Sequence, residues 1–384
     1  MNKMVHVLWW LLLVDGLTAS GQKLHNYVRT FSPLKREDVN LIRINKEETS
    51  LQLFKYQLII DLQGKVWTAI LQPHLNLFHK DFKGYHYNNS DGPTFHFKPN
   101  FTEHLEGYLV EEVDSKVLVH AKDGLLSGSF LFSNKSTFFV EPSARFIKED
   151  HDYHMILYDI ADLQFNRTNP QFCTHDLPNP SESGSIPSKY STEEYLMYSR
   201  RKRDLADKKT CDIALIADYS FFSSVSGKDE LNAMNYMISL MQQVNAILTA
   251  QSLDPSGSKS YEGFGIQVKY VEVISTPLID EAYSGTYKYY SEDSPPSAVD
   301  LLGNFAYGKW SGYCLAHLFT GYDFDNGMLG LAYIASASTL GVGGICSRTY
   351  IDASGRTKSP NVGLSSAVNY GRTLLTSEHM FVTG

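Results

Sequence analysis

The chain has 384 residues, of which 43% are hydrophobic and 13% aromatic, so it holds enough apolar material for the cores of two domains. Its formal net charge of −8 argues against a nucleic-acid partner, because such a protein needs a basic face to meet the phosphates. The sequence contains no apolar run of the 18 or more residues that a membrane-spanning helix needs.

Residues 1–20 have the layout of a secretory signal peptide. Lys3 precedes an apolar stretch from Val5 to Val14, and the small residues Gly16, Thr18, Ala19 and Ser20 follow. A basic start, a short apolar centre and a small-residue end are typical of such signals, which are too short to cross a bilayer as a stable helix. We therefore expect the chain to enter the secretory pathway.

Residues 21–203 predict a β-rich domain. Residues 51–71 indicate a hairpin around a Gln63-Gly64 turn. Shorter strands are predicted further on, with turns at Asp114-Ser115 and Asp123-Gly124; these strands are Gly107–Val113, Lys116–Ala121, Leu125–Phe132 and Thr137–Val140. Regular short strands separated by turns favour an antiparallel barrel or sandwich. A linker rich in proline and serine follows at residues 177–190.

A run of four basic residues, Arg200-Arg201-Lys202-Arg203, ends this part of the chain. In a cytosolic protein such a run would indicate a nuclear-import or nucleic-acid patch, and a solvated loop is the other simple interpretation. Behind a signal peptide it fits the preference of furin-like convertases, which become the expected partner. We predict cleavage after Arg203, which makes the chain a zymogen.

Residues 204–384 alternate between strand and helix patterns. A buried strand is predicted first, and helices and strands then follow one another; in order the segments are Cys211–Ala217, a helix over Lys228–Gln251, Ile266–Tyr270, a helix over Ser297–Trp310, Cys314–Thr320 and Leu329–Ala335. The order β, α, β, α, β, β predicts a mixed sheet covered by helices.

Two stretches of the second half resemble the adamalysin (ADAM) family of zinc metalloproteases. They are Tyr313–Thr320 and Asp323–Tyr333, and shorter matches occur at Gly343–Cys346, Gly363-Leu364 and Asn369–Gly371. The first half is similar at Asp114–His120 and Val140–Pro142. Within the family the chain is most like the branch of the sheddase that releases tumour necrosis factor, with the Kuzbanian branch second. The resemblance implies a metzincin-like α/β protease domain behind an inhibitory β-rich prodomain.

The resemblance also implies a zinc site, but these residues do not contain its ligands. The family binds zinc through a helical His-Glu-x-x-His-x-x-Gly-x-x-His segment. After Arg203 only His317 and His379 remain, and the chain stops at Gly384, where the first ligand is due. We expect His317 to be a sheet histidine, His379 to lie on the surface of a helix, and the chain as given to be inactive and to have no catalytic or metal-binding residue at the family site.

Other residues carry roles that the resemblance implies. The segment Leu329-Gly330-Leu331-Ala332 resembles the edge strand that pairs with substrate backbone, although an ordinary apolar strand is the simpler interpretation. Cys173 resembles the prodomain cysteine that occupies the zinc; Thr174 replaces the usual glycine, and a structural cysteine is the alternative. The Asp323-x-Asp325-Asn326-Gly327 cluster indicates a turn rather than a calcium loop, because the closing glutamate is missing.

Cysteines and glycosylation sequons complete the set of candidate residues. Four cysteines allow three pairings, which the sequence alone leaves open. The resemblance implies a Cys211–Cys314 disulfide and leaves Cys346 over, because its counterpart in relatives pairs beyond residue 384. All four sequons precede residue 200, which indicates an exposed surface in the secretory lumen; they begin at Asn88, Asn100, Asn134 and Asn166.

The sequence-based hypothesis is a precursor of an ADAM-type endopeptidase that sheds the ectodomains of membrane-anchored proteins. A full-length relative would be a type I membrane protein at the cell surface, whereas the chain as given would be secreted or lumenal. Two alternatives belong to other classes. One is a short isoform whose prodomain acts as an inhibitor or folding chaperone, and the other is a catalytically dead module that binds peptides.

Overall fold

A computed structural model of the chain describes residues 28–44, 54–62, 64–88, 92–96, 99–147, 152–164, 210–250, 264–277, 296–334 and 342–383. The chain divides into two compact units. The first comprises Met1–Leu75, Asn100–Asn166 and Leu375–Glu378, and the second comprises Asn76–Pro99, Arg167–Leu374 and His379–Gly384. Each unit has its own sheet and its own hydrophobic core.

Strands account for most of the regular structure. In the first half of the chain the described strands are β1 (Ser32–Leu34), β2 (Asn40–Arg43), β3 (Tyr56–Leu62), β4 (Lys65–Pro73), β5 (Phe78–Asn88), β6 (Gly92–His96), β7 (His104–Leu109), β8 (Glu112–Lys122), β9 (Leu125–Leu131), β10 (Thr137–Pro142) and β11 (Met155–Asp159). In the second half they are β12 (Thr210–Ala217), β13 (Gly265–Ile274), β14 (Leu315–Thr320), β15 (Gly330–Ala332), β16 (Tyr350–Ile351), β17 (Thr357–Lys358), β18 (Val362–Ser366), β19 (Val368–Asn369) and β20 (Arg372–Thr373).

Four α-helices are described, all in the second half of the chain. They are α1 (Tyr219–Ser224), α2 (Glu230–Ala250), α3 (Ala298–Phe305) and α4 (Thr376–Thr383). None of the helices in the described ranges is both long and apolar enough to span a membrane.

The first unit is built on a nine-stranded antiparallel sheet in the order β1-β11-β10-β9-β8-β7-β4-β3-β2. Leu34 of β1 and Leu41 of β2 lie at opposite ends of this order and contribute to the same hydrophobic cluster, so the sheet curls over one core. The predicted hairpin is confirmed, because β3 and β4 pair antiparallel up to Leu62 and Lys65. The antiparallel β-rich architecture of this part is therefore as predicted.

One predicted turn of the first unit is wrong. The sequence pattern divided this region at Asp114-Ser115, but β8 runs unbroken through both residues and the chain turns at Val110-Glu111 instead. Ser115 is 7% exposed, and its hydroxyl accepts a hydrogen bond of 2.8 Å from the Leu109 backbone N–H. A polar residue that is satisfied inside the sheet was thus mistaken for a turn residue.

The second unit contains a seven-stranded mixed sheet in the order β15-β18-β14-β12-β13-β5-β6. The strands from β18 to β5 are parallel to their neighbours, whereas β15 and β6 pair antiparallel at the two edges. Helix α3 packs on one side of the core, where Leu301, Leu302 and Phe305 join the buried cluster. The mixed sheet layered with helices is as predicted, and helix α2 lies within the segment predicted for it.

Strand β5 belongs to the first half of the sequence but to the sheet of the second unit. It pairs parallel with β13, with Tyr85 opposite Glu272 and Tyr87 opposite Ile274. Tyr87 is buried in the core of this unit, and the Tyr85 ring lies 5.3 Å from that of Tyr270. The sequence pattern predicted no strand here, so a segment ahead of the basic run supplies part of the sheet that follows it.

Helix α1 begins at a buried aspartate. The Asp218 carboxylate caps the helix by accepting hydrogen bonds from the Phe221 backbone N–H at 2.8 Å and from the Ser220 hydroxyl at 2.6 Å. Burial raises the pKa of Asp218 from 3.8 to about 6, because these hydrogen bonds to the charged form only partly offset its loss of solvation. Folding therefore shifts Asp218 toward the protonated acid relative to the unfolded chain.

We expect Asp218→Asn to flatten the dependence of stability on pH. Since the pKa of Asp218 is raised on folding, its favourable contribution is complete below about pH 4 and is lost as the pH rises through about 6. The free energy of unfolding of the wild type should fall by roughly 3 kcal/mol between pH 4 and 7 relative to the variant, whose amide still accepts the Phe221 N–H. Urea unfolding at both pH values measures this difference, and parallel pH profiles would contradict it.

Candidate functional site

The candidate site is the short edge strand β15. Its three residues pair antiparallel with β18, so that Gly330 lies opposite Ser365 and Ala332 opposite Gly363. Within the part of the chain that the structure describes, β15 ends the strand order, and its other side has no neighbouring strand. The structure thus brings the predicted peptide-binding residues together at an edge of the mixed sheet.

Hydrogen bonds fix which residues of this strand face its open side. The Leu329 carbonyl accepts from the Ser366 N–H at 2.7 Å, and the Tyr333 N–H donates to the Val362 carbonyl at 3.2 Å. Residues of an antiparallel strand direct their N–H and C=O groups alternately to the two sides. Because Leu329 and Tyr333 face β18, Gly330 and Ala332 direct their backbone groups to the open side.

Apolar side chains hold the strand against the core. Leu329 is buried, and Leu331 and Tyr333 pack against the cluster that contains Leu301 and Phe305 of helix α3. Side chains at alternate positions of a strand share a face, so these three anchor one face of β15. The backbone of Gly330 and Ala332 is thereby presented in a fixed position.

The turn ahead of the strand is built by aspartate and glycine. Both oxygens of Asp323 accept backbone N–H groups, from Tyr370 at 3.0 Å and from Gly371 at 2.5 Å. Asn326 and Gly327 have φ angles of 59° and 72°, and a Cβ on Gly327 would lie 2.4 Å from the Tyr370 hydroxyl. This cluster is therefore a turn, as predicted, and its glycine leaves room for a tyrosine.

The two histidines of the second half belong to a buried polar network. His317 Nε2 and His379 Nε2 each lie 2.8 Å from Ser365 Oγ, and His379 Nδ1 lies 2.8 Å from the Tyr236 hydroxyl. Burial lowers the pKa of His317 to about 3, which keeps this imidazole neutral. The expected sheet position of His317 is confirmed.

The predicted surface position of His379 is wrong. Its side chain is fully buried, with the Phe319 ring 5.5 Å and the Tyr236 ring 5.7 Å from the imidazole. All residues of α4 from Thr376 to Met380 are buried although four of these five are polar, so polarity along this stretch does not reveal which side meets solvent. Only the packing of α4 shows that the histidine points inward.

These histidines do not fit a zinc site. Both are committed to hydrogen bonds with Ser365, and among the described residues no group of three or more His, Cys, Asp or Glu side chains is arranged to hold a metal ion. A catalytic zinc site needs three protein ligands around one open position. We therefore assign no metal-dependent step to the residues present.

Cys211 and Cys314 form a disulfide that ties β12 to the start of β14, the pairing that the resemblance implied. The bridge closes a segment of 103 residues. Cys346 lies outside the bridge but is adjacent to it: its N–H donates to the Cys314 carbonyl at 2.7 Å, and the two Sγ atoms lie 2.8 Å apart. Three cysteines therefore meet at this end of the sheet.

Several predicted residues lie outside the described part of the chain. These are residues 1–20, Cys173, the basic run Arg200–Arg203 and Asn166. Of the other sequons, Asn100 and Asn134 are exposed, and Asn88 ends strand β5. The predicted signal peptide, cleavage seam and prodomain cysteine remain predictions, as does the glycosylation of all four sequons.

Comparison with known proteins shows which protein family this chain is similar to. Residues 207–376 match the model of metallo-peptidase family M12 (Reprolysin_5). Disintegrin and metalloproteinase domain-containing protein 10 of Mus musculus is 25% identical over 380 residues, and the match covers 91% of this chain and 47% of that protein. The same protein of Homo sapiens is 26% identical over 371 residues, and the match covers 91% of this chain and 46% of that protein. The Caenorhabditis elegans homolog of protein 17 is 27% identical over 323 residues, and the match covers 77% of this chain and 43% of that protein. The chain spans about half the length of the curated relatives that it matches.

Proposed function

This chain belongs to the ADAM-type metallopeptidases of family M12, and on that premise we propose that it is the precursor of a zinc endopeptidase that cuts ectodomains from membrane-anchored proteins. A signal peptide at residues 1–20 directs it to the secretory pathway, and residues 21–203 form its prosegment. A furin-like convertase then cuts after Arg203. Residues 204–384 provide the part of the protease domain that holds the substrate peptide.

The edge strand β15 carries this proposal. An unpaired strand edge captures an extended peptide by continuing the ladder of backbone hydrogen bonds, which needs no particular peptide sequence. Gly330 and Ala332 offer outward backbone groups, and the exposed Ala332 leaves space for a peptide side chain. Such an edge suits a protease that must hold many different stalk segments in an extended form.

The zinc chemistry of the family is not assigned to these residues. His317 and His379 are committed to Ser365 and Tyr236, and after Arg203 the sequence contains no other histidine. We therefore expect the purified 384-residue polypeptide to bind extended peptides without hydrolysing them. The proposed endopeptidase activity requires a protein that also contains the helix with the family's zinc ligands.

We expect Ala332→Pro to weaken peptide capture by about tenfold or more, because proline removes an N–H that faces the open edge. The pairing with β18 should survive, since residues 329 and 333 make its flanking hydrogen bonds. Fluorescence anisotropy with a labelled mixture of random decapeptides measures the affinity of convertase-treated protein.

Ala353→Pro is the matched control for this measurement. Ala353 is exposed in a turn closed by a 3.0 Å hydrogen bond from the Gly355 N–H to the Asp352 carbonyl, where proline is compatible with the backbone. Equal peptide affinity in the two proline variants would show that β15 does not hold the peptide.

A further inference from the structure

A fully buried carboxylate in the first unit binds the start of helix α4. Glu141 lies on β10 and is completely excluded from solvent. Its Oε1 and Oε2 accept the Thr376 backbone N–H at 2.9 and 3.0 Å, and Oε2 also accepts the Thr376 hydroxyl at 2.5 Å. Glu141 and Thr376 both belong to the first unit, which contains residues 375–378 but not the rest of α4.

Two further side chains complete the surroundings of this carboxylate. The Tyr158 hydroxyl donates to Glu141 and lies 2.7 Å from Ser377 Oγ. Arg145 Nη1 lies 3.4 Å from Oε2 of Glu141 and donates to the Thr376 hydroxyl at 3.1 Å. A buried charge of this kind is tolerated only when donors surround it, and here four donor groups converge on two oxygens.

The helix terminus itself favours an anionic partner. The first N–H groups of an α-helix have no acceptor within the helix, and the helix dipole makes this end positive. Glu378 accepts the Leu375 N–H at 3.0 Å, and the next N–H, that of Thr376, is accepted by Glu141. Burial raises the pKa of Tyr158 well above its usual value, which keeps its phenol available as a proton donor.

We propose that the first turn of α4, Thr376–Glu378, is a docking surface for the prosegment and that the buried Glu141 carboxylate is the group it recognises. This inference rests on the proposed function, in which residues 21–203 are separated from the rest by cleavage. Glu141 then becomes one of the groups that hold the cleaved prosegment, in addition to the pairing of strand β5 with β13. When the prosegment leaves, Thr376 loses its acceptor and Tyr158 and Arg145 leave with Glu141.

The test compares the rate at which the cleaved prosegment dissociates. The full chain, tagged at its carboxyl end, is immobilised and cut with a furin-like convertase, and the loss of residues 21–203 is followed with time. Glu141→Gln keeps the size and shape of the side chain but replaces one carboxylate oxygen with an amide NH2 group. This new donor then faces the donors that surround Glu141, so we expect at least about 30-fold faster dissociation, equivalent to about 2 kcal/mol. Glu37→Gln makes the same chemical change at an exposed glutamate of the same unit and should dissociate like the wild type.

Thr376→Val provides a second arm should Glu141→Gln fail to fold. It removes the hydroxyl donor from the other side of the contact and keeps the backbone N–H, so we expect a smaller acceleration of about fivefold. Where both variants fold, their combination should accelerate dissociation by less than the product of the two single effects, because both disturb one contact. Rates within twofold of the wild type for both single variants would overturn the proposal.

Hydrogen exchange tests the contact between Glu141 and Thr376 without requiring that the convertase cut the chain. If the convertase does not cut the chain, the proposed function fails, and the contact is then tested in the uncut protein. We expect the Thr376 amide to be strongly protected in the wild type and in Glu37→Gln, and to exchange at least about tenfold faster in Glu141→Gln. Unchanged protection of that amide in Glu141→Gln would overturn the docking surface, whether or not cleavage occurs.

Discussion

Replacing both Cys211 and Cys314 with alanine is expected to lower the free energy of unfolding of the second unit by about 4 to 5 kcal/mol. The disulfide closes a loop of 103 residues, and in the chain-entropy model that constraint removes this much conformational freedom from the unfolded chain. Cys211 is 3% exposed at the start of β12, so alanine introduces no buried polar group there. Guanidinium unfolding followed by the fluorescence of buried Trp310 measures the loss.

The single variant Cys211→Ala supplies the comparison for this prediction. Because Cys346 Sγ lies 2.8 Å from Cys314 Sγ, we expect these two to bridge once Cys211 is gone, which closes a loop of 32 residues. The single variant should then lose only about 1 kcal/mol, since loop entropy changes slowly with loop length. A double variant as stable as the single one would contradict the entropic account of the bridge.

Periodicity in the sequence predicted the elements that are regular and local. Strand β12 and helix α2 carry long, continuous apolar patterns, and the structure places both within or beside the predicted segments. Strand β5 has no such pattern: its residues Phe78–Asn88 are mostly polar, and it becomes a strand by pairing with the edge of β13. Its position depends on a partner almost 190 residues away, which no local window contains.

The sequence predicted which segment forms the candidate site, but it did not predict the direction in which the backbone groups of that segment point. The residues of β15 were identified from a resemblance, yet the outward direction of Gly330 and Ala332 follows from the register with β18, which the sequence does not reveal. Glu141 shows the same limit. In the sequence Glu141 lies between the buried residues Val140 and Ser143, and only its contacts with Thr376 in the structure explain why a carboxylate is buried there.

Replacing Arg203 with alanine is expected to abolish processing of the precursor. A furin-like convertase requires arginine immediately before the cut bond, so the variant should accumulate as a species that retains residues 21–203. Lys209→Ala is the control, because it removes one positive charge from the same part of the sequence but leaves Arg200-Arg201-Lys202-Arg203 intact. Immunoblots of secreted protein, with and without a convertase inhibitor, measure the proportion that is cut.

Amino-terminal sequencing decides whether this chain is, as we propose, a family M12 zymogen divided after Arg203. The fragment that contains Trp310 is isolated from cells with active convertase, and its first residues are determined. We expect a single amino terminus at Asp204, absent when Arg203 is replaced or the convertase is inhibited. A fragment that begins elsewhere, or one that forms equally in the Arg203→Ala variant, would contradict it.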